Sequence, residues 1–486
     1  MIITPFRLER RYFFAVFYIT YTGAIFLKIN EILLKIIGAV NSFAWGPVML
    51  ALLICTGIYL TFITRFIQIR KIPFIFKNTI GTLFKRKNKP HKNGISPFEA
   101  VSTALGGTVG TGNIAGVTGA VLAGGPGAVF WMWVSAFFGM CTKYAEILLA
   151  VKYRRKDKNG KFYGGPMYYI RDGLDKSCRL LSVLFAVFGT AASFGIGNIA
   201  QTSEIAGAAQ GLLGAKPLLT GIILAVLCAV ISFGGAERIG KTAAALVPFM
   251  SLFYIFCALA VITINFKALP SVAVNILKSA FSFKSLGGGL FGYGITAALK
   301  EGFSRGVFSN EAGLGSAPIA HAAADTDEPC MQALWGVFEV FCDTVLICSM
   351  TAFAVLVSLP EVTLQNGISY GEITARLFDT ALPGGIGTAV IRRSIILVAF
   401  TSLLGWSYYG QRCLAFLTCE NKAAQTLYKT VFAAFCIVGA VGSGRIMWEI
   451  SDALNGLMAL PNLTALLFLS PEVGKETKRF FNCHNA

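Results

Sequence analysis

The stretch Gly107–Gly139 (GTVGTGNIAGVTGAVLAGGPGAVFWMWVSAFFG) most constrains the fold of this chain, because it is too apolar for water and too glycine-rich for a simple membrane helix. About 20 apolar residues cross a bilayer as one helix. The span that begins after Ser96 contains Gly106, Gly107, Gly110, Gly112 and Gly116. Glycine weakens helices, and a helix broken inside the hydrocarbon frees N–H and C=O groups that need partners. A bound substrate and its coupling ion supply such partners, so the stretch predicts a transport protein.

The composition agrees with a membrane protein. Of the 486 residues, 55% are hydrophobic and 14% are charged, and the mean hydropathy is +0.66, which excludes a soluble domain and a disordered chain. The net charge of +18 does not indicate nucleic-acid binding, because the Lys and Arg residues lie between apolar runs. The twelve cysteines lack C-x-x-C spacing and lie mostly within apolar runs, so we interpret them as apolar filling.

Apolar runs separated by charged residues predict eleven membrane-spanning helices. The predicted spans are 45–64, 98–122, 127–151, 180–211, 217–233, 242–264, 287–319, 331–358, 387–418, 427–444 and 447–470. A further apolar run, 12–27, is short and follows three arginines, so it is an extra helix, an interfacial helix or a signal anchor. The predicted organisation is an N-terminal extension 1–28, a transmembrane domain 29–472 and a cytoplasmic tail 473–486.

The basic loops predict the orientation of the chain in the membrane. Segments 65–92 and 152–179 are rich in Lys and Arg, and two predicted spans separate them. Both segments therefore lie on the cytoplasmic face. The acidic loop 359–385 then lies outside, and the first span runs from outside to inside.

A second glycine-rich span lies at 287–319 and contains Lys300, Glu301 and Arg305. Charges within a span usually face a cavity or one another. When the first span is set aside, the two glycine-rich spans are the first and sixth of ten. Small residues also let membrane helices pack closely, which is the alternative for either span alone. Two interruptions at equivalent positions of two five-helix halves favour an inverted-repeat secondary transporter.

Several sequence blocks resemble the alanine/glycine:cation symporter family. They are GTVGTGNIAG (107–116), GGPGAVFWMWVSAFFG (124–139), YGGPMYYI (163–170), FGIGNIAQTS (194–203), RGVFSNEAGLGSAPIAHAA (305–323), LGWSYYGQR (404–412) and ALPNL (459–463). The resemblance covers the chain from about Ile29 onward, and residues 1–28 depart from the usual family start. It implies an all-α polytopic membrane protein of LeuT type. The expected fold is a 5+5 inverted-repeat core over about 98–470 with one additional N-terminal transmembrane helix.

The same resemblance implies sodium-coupled uptake, across the cell membrane, of amino acids the size of alanine, glycine or serine. A zwitterionic amino acid needs N–H donors for its carboxylate, and the free N-terminus of a half-helix supplies them. By resemblance, the backbone at Thr108, Thr111 and Gly112 binds the carboxylate. Asn113 is expected to tie the two half-helices together.

By resemblance, the side-chain oxygen of Gln201 accepts from the substrate ammonium group. Phe291, Ile295 and Trp406 are expected to form the wall of the side-chain pocket. An interhelical hydrogen bond is the alternative for Gln201, and ordinary packing is the alternative for the three apolar residues. Trp406 also fits an interfacial aromatic belt.

Sodium, the expected co-transported ion, needs hard oxygen ligands. By resemblance to LeuT-type carriers, the hydroxyls of Thr401 and Ser402 bind it, together with the carbonyls of Gly106, Val109 and Val398. Hydroxyls in a membrane helix also often bond back to the carbonyl four residues earlier, which is the alternative.

Charged residues near the inner end of the second interrupted span suggest a gate. Glu311 is expected to pair with Arg305, or with Lys143 and Glu146, and a helix cap or an ion pair needed for folding is the alternative. A lone histidine such as His321 is more often structural than a proton relay.

Other classes of membrane protein fit less well. A channel filter would require repeated carbonyl motifs, and none appears. An enzyme would require paired carboxylates or a metal set, whereas His91, His321 and His484 are widely scattered. The pattern G-x-x-x-x-G-K-[ST] matches once, at 235–242, but it follows a predicted membrane span and not a strand, so it does not indicate ATP-driven transport. A proton-coupled amino-acid carrier of the same fold stays open, as does the choice among alanine, glycine and serine.

Overall fold

A computed structural model describes residues 35–83, 93–282, 294–359, 369–442 and 444–484. The N-terminal extension, the run 12–27 and Phe291 lie outside these residues. Across the described residues, eight helices are long and apolar enough to cross a membrane, and two shorter apolar helices accompany them. The protein is therefore a polytopic helical membrane protein, as the composition predicts.

The helices of the described residues are numbered in chain order. They are α1 Lys35–Ile63, α2 Ile67–Arg70, α3 Ile72–Asn78, α4 Ile80–Leu83, α5 Pro97–Thr108, α6 Val117–Gly124, α7 Gly127–Lys152, α8 Pro166–Gly173, α9 Arg179–Phe194, α10 Ala200–Leu213, α11 Pro217–Phe233, α12 Gly235–Ile264, α13 Leu269–Ala280, α14 Ile295–Asn310, α15 Ala317–His321, α16 Pro329–Val340, α17 Ser349–Ser358, α18 Tyr370–Ala381, α19 Ile386–Leu417, α20 Lys422–Val441 and α21 Gly444–His484.

Other local structures connect or interrupt these helices. Three π-helical segments lie within predicted spans: π1 Gly112–Gly116, π2 Gly195–Ile199 and π3 Phe341–Cys348. Two short 3₁₀ turns, Lys176–Cys178 and Phe266–Ala268, precede α9 and α13. The strands β1 Arg155–Lys156 and β2 Phe162–Tyr163 form a small antiparallel hairpin.

The eleven predicted spans all correspond to elements of the described chain. α1 is the additional N-terminal helix, and it packs on α7 and α21 outside the core. The two spans predicted to be interrupted are α5–π1–α6 and α14–α15. α21 continues through the predicted tail as far as His484. The connecting helices α8, α13 and α18 were not predicted, because the polar residues in and around them resemble those of loops.

The start of the first interrupted helix, α5, is marked in the sequence by a helix-capping motif. Ser96 accepts the backbone N–H of Glu99 at 3.1 Å, and the Glu99 carboxylate accepts the backbone N–H of Ser96 at 2.8 Å. This capping box, followed by Pro97 at the first helical position, sets where α5 starts. α5 ends at Thr108, where Val109 takes an extended conformation with ψ 95°.

The second interruption lies later in the chain than the glycine pattern predicts. α14 runs continuously through Lys300, Glu301 and Arg305, and it ends at Glu311, which has a positive φ of 53°. The turn 311–316 separates α14 from the half-helix α15. Gly313 and Gly315 take positive φ angles of 93° and 82° in this turn, a conformation that glycine adopts without strain.

The packing shows the inverted repeat directly. α5 packs on α15, and α6 packs on α14, so the two interrupted helices run antiparallel to each other. In the next three pairs, each helix of the first half packs on its counterpart in the second half: α7 on α16, α9–α10 on α19, and α11 on α20. This arrangement is the LeuT-type 5+5 core, and it brings both interruptions to the middle of the molecule.

Candidate functional site

The break between α5 and π1 frees two carbonyl groups. In a continuous helix, Gly106 and Val109 would accept from the N–H groups four residues later. Instead, the N–H of Gly110 donates to the side-chain oxygen of Asn113 at 2.9 Å, and the N–H of Asn113 donates to the Gly110 carbonyl at 3.2 Å. The Gly106 and Val109 carbonyls thereby lose their usual partners. Both belong to the predicted sodium site.

Helix α19 lies against this break at very short range. A Cβ atom built on Gly106 would lie 3.4 Å from Thr401 Cβ, and one built on Gly110 would lie 2.8 Å from Ser402 Oγ. One built on Gly405 would lie 3.1 Å from the Gly107 Cα atom. The glycines therefore let the two helices approach closely enough for hydroxyl groups of α19 to meet freed backbone groups of α5.

Three of the predicted site residues carry buried polar atoms without a hydrogen-bond partner among the described residues. They are Thr111 Oγ1, Gln201 Oε1 and Ser402 Oγ. Burying such an atom without a partner costs about 1–3 kcal/mol. Thr111 and Ser402 both lie at the break, so their unpartnered oxygen atoms indicate a place where an ion or a polar ligand completes the hydrogen bonding.

The other two predicted hydroxyls have partners. Thr401 Oγ1 donates to the Val398 carbonyl at 2.9 Å and also lies 3.3 Å from Met250 Sδ. Thr108 Oγ1 donates to the Ala104 carbonyl at 3.2 Å. A hydroxyl that donates in this way keeps oxygen lone pairs for a ligand. The back-bonding alternative, weighed for Thr401 and Ser402, therefore describes Thr401 but not Ser402, whose Oγ has no partner among the described residues.

Gln201 and Trp406 lie on neighbouring helices of the core. Gln201 follows π2, and its Nε2 donates to the Ile196 carbonyl at 3.0 Å, which leaves its oxygen free to accept. A Cβ atom on Gly197 would overlap the Trp406 side chain, so π2 and α19 meet at this point. Trp406 is fully buried and packs edge-to-face on Tyr409, with ring centroids 5.6 Å apart. This burial argues against an interfacial aromatic belt.

Ile295 does not lie at the break. It is the first residue of α14, and its N–H donates to the Ser282 carbonyl at 3.0 Å. Phe308 is the residue of α14 that faces the break, because a Cβ atom on Gly112 would lie 3.4 Å from its ring. Thirteen residues of helix separate Ile295 from Phe308, a distance of about 20 Å. The apolar wall next to Gly112 therefore comes from Phe308, which the sequence analysis did not select.

A buried carboxylate, Asp343, joins the two interrupted helices and was also missed. It lies in π3 and is completely buried. Asn113 Nδ2 donates to it at 2.7 Å, and the hydroxyls of Ser309 and Thr344 each donate at 2.8 Å. Asn113 directly follows the first break and Ser309 directly precedes the second. Asn113 is therefore tied to the second interrupted helix through Asp343.

One signal in the sequence points to this carboxylate. Asp343 and Glu339 are acidic residues within the predicted span 331–358, and an ionisable residue inside a span is by default a functional-site hypothesis. The glycine pattern drew attention to the first and sixth core helices alone. Nothing in the spacing shows that π3 would turn Asp343 toward Asn113.

An outer cavity of about 240 Å³ lies between α10, α18 and α19, on the side of the predicted external loop. Ser203, Gly207, Gly371, Glu372 and Arg392 are among its lining residues. Arg392 donates to the Glu372 carboxylate at 3.0 Å. α18 also packs on π1, which places the cavity beside the outer half of the broken helix.

The opposite side of the broken helices, which the basic loops predict to be the inner one, is closed by backbone pairing. The Ile95 N–H donates to the Ala323 carbonyl at 3.1 Å, and the Asp325 N–H donates to the Ile95 carbonyl at 2.7 Å. Arg154, in the loop after α7, donates to the Ala324 carbonyl at 2.6 Å. Burial lowers the pKa of Arg154 to about 10, so the guanidinium stays charged at neutral pH. These contacts hold the start of α5 to the end of α15.

The predicted gate partners of Glu311 differ in the structure. Arg305 Nε lies 4.0 Å from Glu301 Oε2 on the same helix, so Arg305 pairs with Glu301 and not with Glu311. Glu311 instead accepts from the Ser316 hydroxyl, one turn later in the chain. Lys143 pairs with Glu339, a residue the sequence analysis did not select. His321 Nε2 also lies 3.0 Å from Glu339.

Comparisons with known proteins agree with this architecture. A sequence model of the sodium:alanine symporter family matches residues 30–486. The chain is 44% identical over 452 residues to the sodium/alanine symporter AgcS of Methanococcus maripaludis, covering 92% of this chain and 97% of that protein. It is 38% identical over 445 residues to the "Probable sodium/glutamine symporter GlnT" of Bacillus subtilis, covering 91% and 90% of the two chains. A solved structure of a mutant Eremococcus coleocola manganese transporter matches with a TM-score of 0.52 at 14% identity, covering 78% of this chain and 80% of that one, which shows a common fold.

Proposed function

This chain belongs to the sodium:alanine symporter family and is a multi-pass secondary transporter of the cell membrane, and from that premise we propose that it takes up small neutral amino acids, such as alanine and glycine, by sodium-coupled symport. The observation that carries the proposal is the break in α5–π1–α6. There, the carbonyls of Gly106 and Val109 lack their usual helical partners, and the unpartnered Ser402 hydroxyl lies beside them in a buried place.

The substrate carboxylate binds at the N-terminus of π1. The first N–H groups of a helical segment have no intrahelical acceptor and carry the positive end of the helix dipole. The backbone at Thr108, Thr111 and Gly112 surrounds this point. Gly112 has no side chain, and the atom nearest to a Cβ built there belongs to the Phe308 ring, 3.4 Å away. A ligand can therefore approach the Gly112 backbone beside this ring.

Gln201 accepts from the substrate ammonium group through its unpartnered Oε1 atom. Trp406 bounds the pocket with a fully buried ring, and Phe308 takes the place proposed for Ile295. Phe291 stays a proposed wall residue from the family resemblance, outside the described residues. Two large rings beside a glycine backbone favour a substrate with a small side chain. The names of the relatives AgcS and GlnT, a sodium/alanine and a probable sodium/glutamine symporter, support the amino-acid class of the substrate.

Sodium binds between α5 and α19. The Gly106 and Val109 carbonyls, the Val398 carbonyl and the hydroxyls of Thr401 and Ser402 are all neutral oxygen donors, which suit a hard monovalent cation. Ser402 Oγ has no hydrogen-bond partner among the described residues, which supports an ion there.

Uptake of labelled alanine into proteoliposomes tests the proposal, with an inward sodium gradient, an inward proton gradient, or neither. We expect uptake with the sodium gradient alone. Thr401→Val and Ser402→Ala should each raise the sodium concentration required for half-maximal uptake by about tenfold or more, since each removes one ligand oxygen. Ser394→Ala is the matched control, because its buried hydroxyl lies on the same helix and donates to the Val390 carbonyl at 2.9 Å.

An unchanged sodium requirement in both Thr401→Val and Ser402→Ala would remove the proposed ion site. Uptake driven by the proton gradient alone would instead identify the proton-coupled carrier of the same fold. Uptake of leucine is measured beside uptake of alanine and glycine. Strong uptake of leucine together with weak uptake of both alanine and glycine would overturn the preference for small substrates.

A further inference from the structure

A second set of buried charges lies at the inner end of the core, apart from the proposed substrate and sodium sites. We call it the inner charge cluster, and it consists of Lys143, Glu146, Glu311, His321 and Glu339. Each of these side chains is at most 2% exposed. Charged groups within membrane spans are costly and usually functional. The cluster surrounds the turn 311–316 and the half-helix α15.

Glu339 is the centre of one arm of the cluster. Its Oε1 lies 3.4 Å from Lys143 Nζ, and its Oε2 lies 3.0 Å from His321 Nε2. Gln332 Nε2 lies 2.8 Å from His321 Nδ1, and an amide nitrogen only donates. With the amide in this assigned orientation, Nδ1 accepts, and Nε2 carries the proton that it donates to Glu339.

The other arm holds the turn between α14 and α15. Glu146 Oε1 accepts from the Gly313 N–H at 3.1 Å and from Asn462 Nδ2 at 2.5 Å. Asn462 Nδ2 also donates to the Gly313 carbonyl at 2.9 Å. Glu146 Oε2 has no partner among the described residues. Glu311, in its left-handed conformation, accepts from Ser316.

The charges of the cluster do not balance when every carboxyl group is ionised. Lys143 supplies one positive charge and His321 can supply at most one more, whereas Glu146, Glu311 and Glu339 would supply three negative charges, so at least one proton is required for balance. The other titratable groups that face the two free carboxyl groups add no cation: Glu339 and Asp343 are acidic, and Tyr169 and Tyr409 are phenols. An unpaired buried carboxylate costs several kcal/mol, so such a group takes up a proton instead.

We propose that Glu146 and Glu311 form a proton-binding centre that holds a proton while the inner half of the transporter is closed and releases it to cytoplasmic water when α15 moves away. The proton leaves a carboxyl oxygen for water, and the carboxylate that remains is solvated in the opened state. When the inner half closes again, the carboxyl group recovers a proton from the same side. The centre therefore makes inward opening depend on the cytoplasmic pH.

The sign of this dependence follows from the proton count. The closed state binds more protons than the open state, so a higher pH favours opening. The release of one proton changes the opening equilibrium about tenfold per pH unit. Glu146 accepts a hydrogen bond from Gly313 in the turn 311–316, and a movement that opens this turn must break that bond. The contact therefore couples the proton-binding centre to the opening of the inner half. The inference rests on the proposed function only for the motion of α15.

Hydrogen–deuterium exchange of the peptide 311–321 tests the centre without relying on transport. The purified full-length protein is measured from pH 6 to pH 9, and exchange is corrected for the intrinsic pH dependence of the amide rates. We expect the protection factor in the wild-type protein to fall by about tenfold per pH unit over part of this range. Glu311→Gln and Glu146→Gln should each stay protected throughout, since a glutamine keeps the neutral form. Glu301→Gln, on the outer part of α14, is the matched control and should follow the wild type.

Several outcomes decide the inference. A protection factor in the wild type that does not change with pH overturns it, as does a wild-type pH dependence in both glutamine variants. Protection that follows sodium concentration at constant pH would show that sodium, and not a proton, neutralises the cluster. If alanine uptake fails but the pH dependence of exchange is present, the proposed function falls and the proton centre stands.

Discussion

At the residue scale, glycines at neighbouring positions of the first interrupted helix, α5–π1–α6, have different structural roles. At Gly107 and Gly110, an added Cβ atom would lie 2.8 Å from Tyr409 or Ser402, so these glycines allow α5 and α19 to touch. At Gly112 the nearest atom would be 3.4 Å away, which is an ordinary contact, and at Gly116 nothing lies within 4 Å. The packing of the described chain therefore does not require glycine at position 112 or 116, and position 112 can be tested without disturbing the fold.

Gly112→Ala should fold normally and bind alanine poorly. The methyl group fits beside Phe308, yet it occupies the approach to the N–H groups proposed for the carboxylate. Loss of one hydrogen bond to a charged group weakens binding by about 10- to 150-fold. Calorimetric titration of the purified variant with alanine in sodium measures this effect.

Gly116→Ala is the control for this measurement, since its added methyl group meets no atom of the described chain within 4 Å. It should bind alanine as the wild type does. Wild-type affinity in Gly112→Ala would show that the substrate carboxylate binds elsewhere.

At the scale of elements, the three π-helical segments have a shared consequence. A π-helical turn widens the helix and changes which side chains face a neighbour, and such turns are frequent at functional sites. π1 carries Asn113, π3 carries Asp343, and π2 lies beside Gln201. Through Asn113, Asp343 and Ser309, hydrogen bonds run from the first interrupted helix to the second. The two half-helix pairs are therefore coupled elements rather than independent ones.

Asp343→Asn tests this coupling. An amide of the same shape can keep part of the network, but it replaces an acceptor oxygen with a donor and removes the charge. We expect the free energy of unfolding to fall by about 1.5–3 kcal/mol, the value of a hydrogen bond to a charged group. Unfolding of the purified protein in mixed detergent micelles measures it, and alanine affinity should fall in parallel.

Asp172→Asn serves as the comparison, because Asp172 makes its ion pairs with Arg155 and Arg171 at the partly exposed end of α8. Its effect should be below about 1 kcal/mol. Equal effects of the two substitutions would mean that Asp343 contributes no more than a surface ion pair.

At the scale of the whole molecule, the positive charge decides how the inverted repeat sits in the bilayer. The basic segments 65–92 and 152–179 predict an inner face, and the acidic segment 359–385 predicts an outer face. The small hairpin β1–β2 and the closing contacts of Ile95 and Arg154 then lie inside. The cavity beside α18 lies outside.

Cysteine labelling in intact cells checks this orientation. In a variant whose exposed native cysteines Cys55, Cys419 and Cys483 are replaced by serine, Lys158→Cys should resist an impermeant thiol reagent. Lys216→Cys, in the loop between α10 and α11, should react. Both lysines are exposed, so a difference in labelling reports the side of the membrane. The reverse pattern would overturn the orientation and exchange the inner and outer faces.

The eleven spans, the extra N-terminal helix and the two interrupted helices could be predicted from the sequence, because each depends on local properties. Hydropathy over about 20 residues reports the bilayer thickness, and glycine and capping residues report where a helix weakens or starts. The motif blocks identified the family by the same kind of local evidence. Local evidence of this kind also selected the motifs that contain Gly106, Gly110, Thr401 and Ser402. The structure brings these four residues together where α5 meets α19.

The sequence by itself thus determined the polytopic helical class, the inverted repeat and the family, whereas only the tertiary structure decided which side chains meet. The tertiary structure places the second interruption at 311–316 and shows that Phe308, and not Ile295, lies beside Gly112. It also shows the contacts of Asp343 and of the inner charge cluster. The physical reason is that each of these contacts joins residues from helices far apart in the chain. Their positions depend on π-helical turns and on the packing of two halves, neither of which leaves a periodic signal in a single sequence.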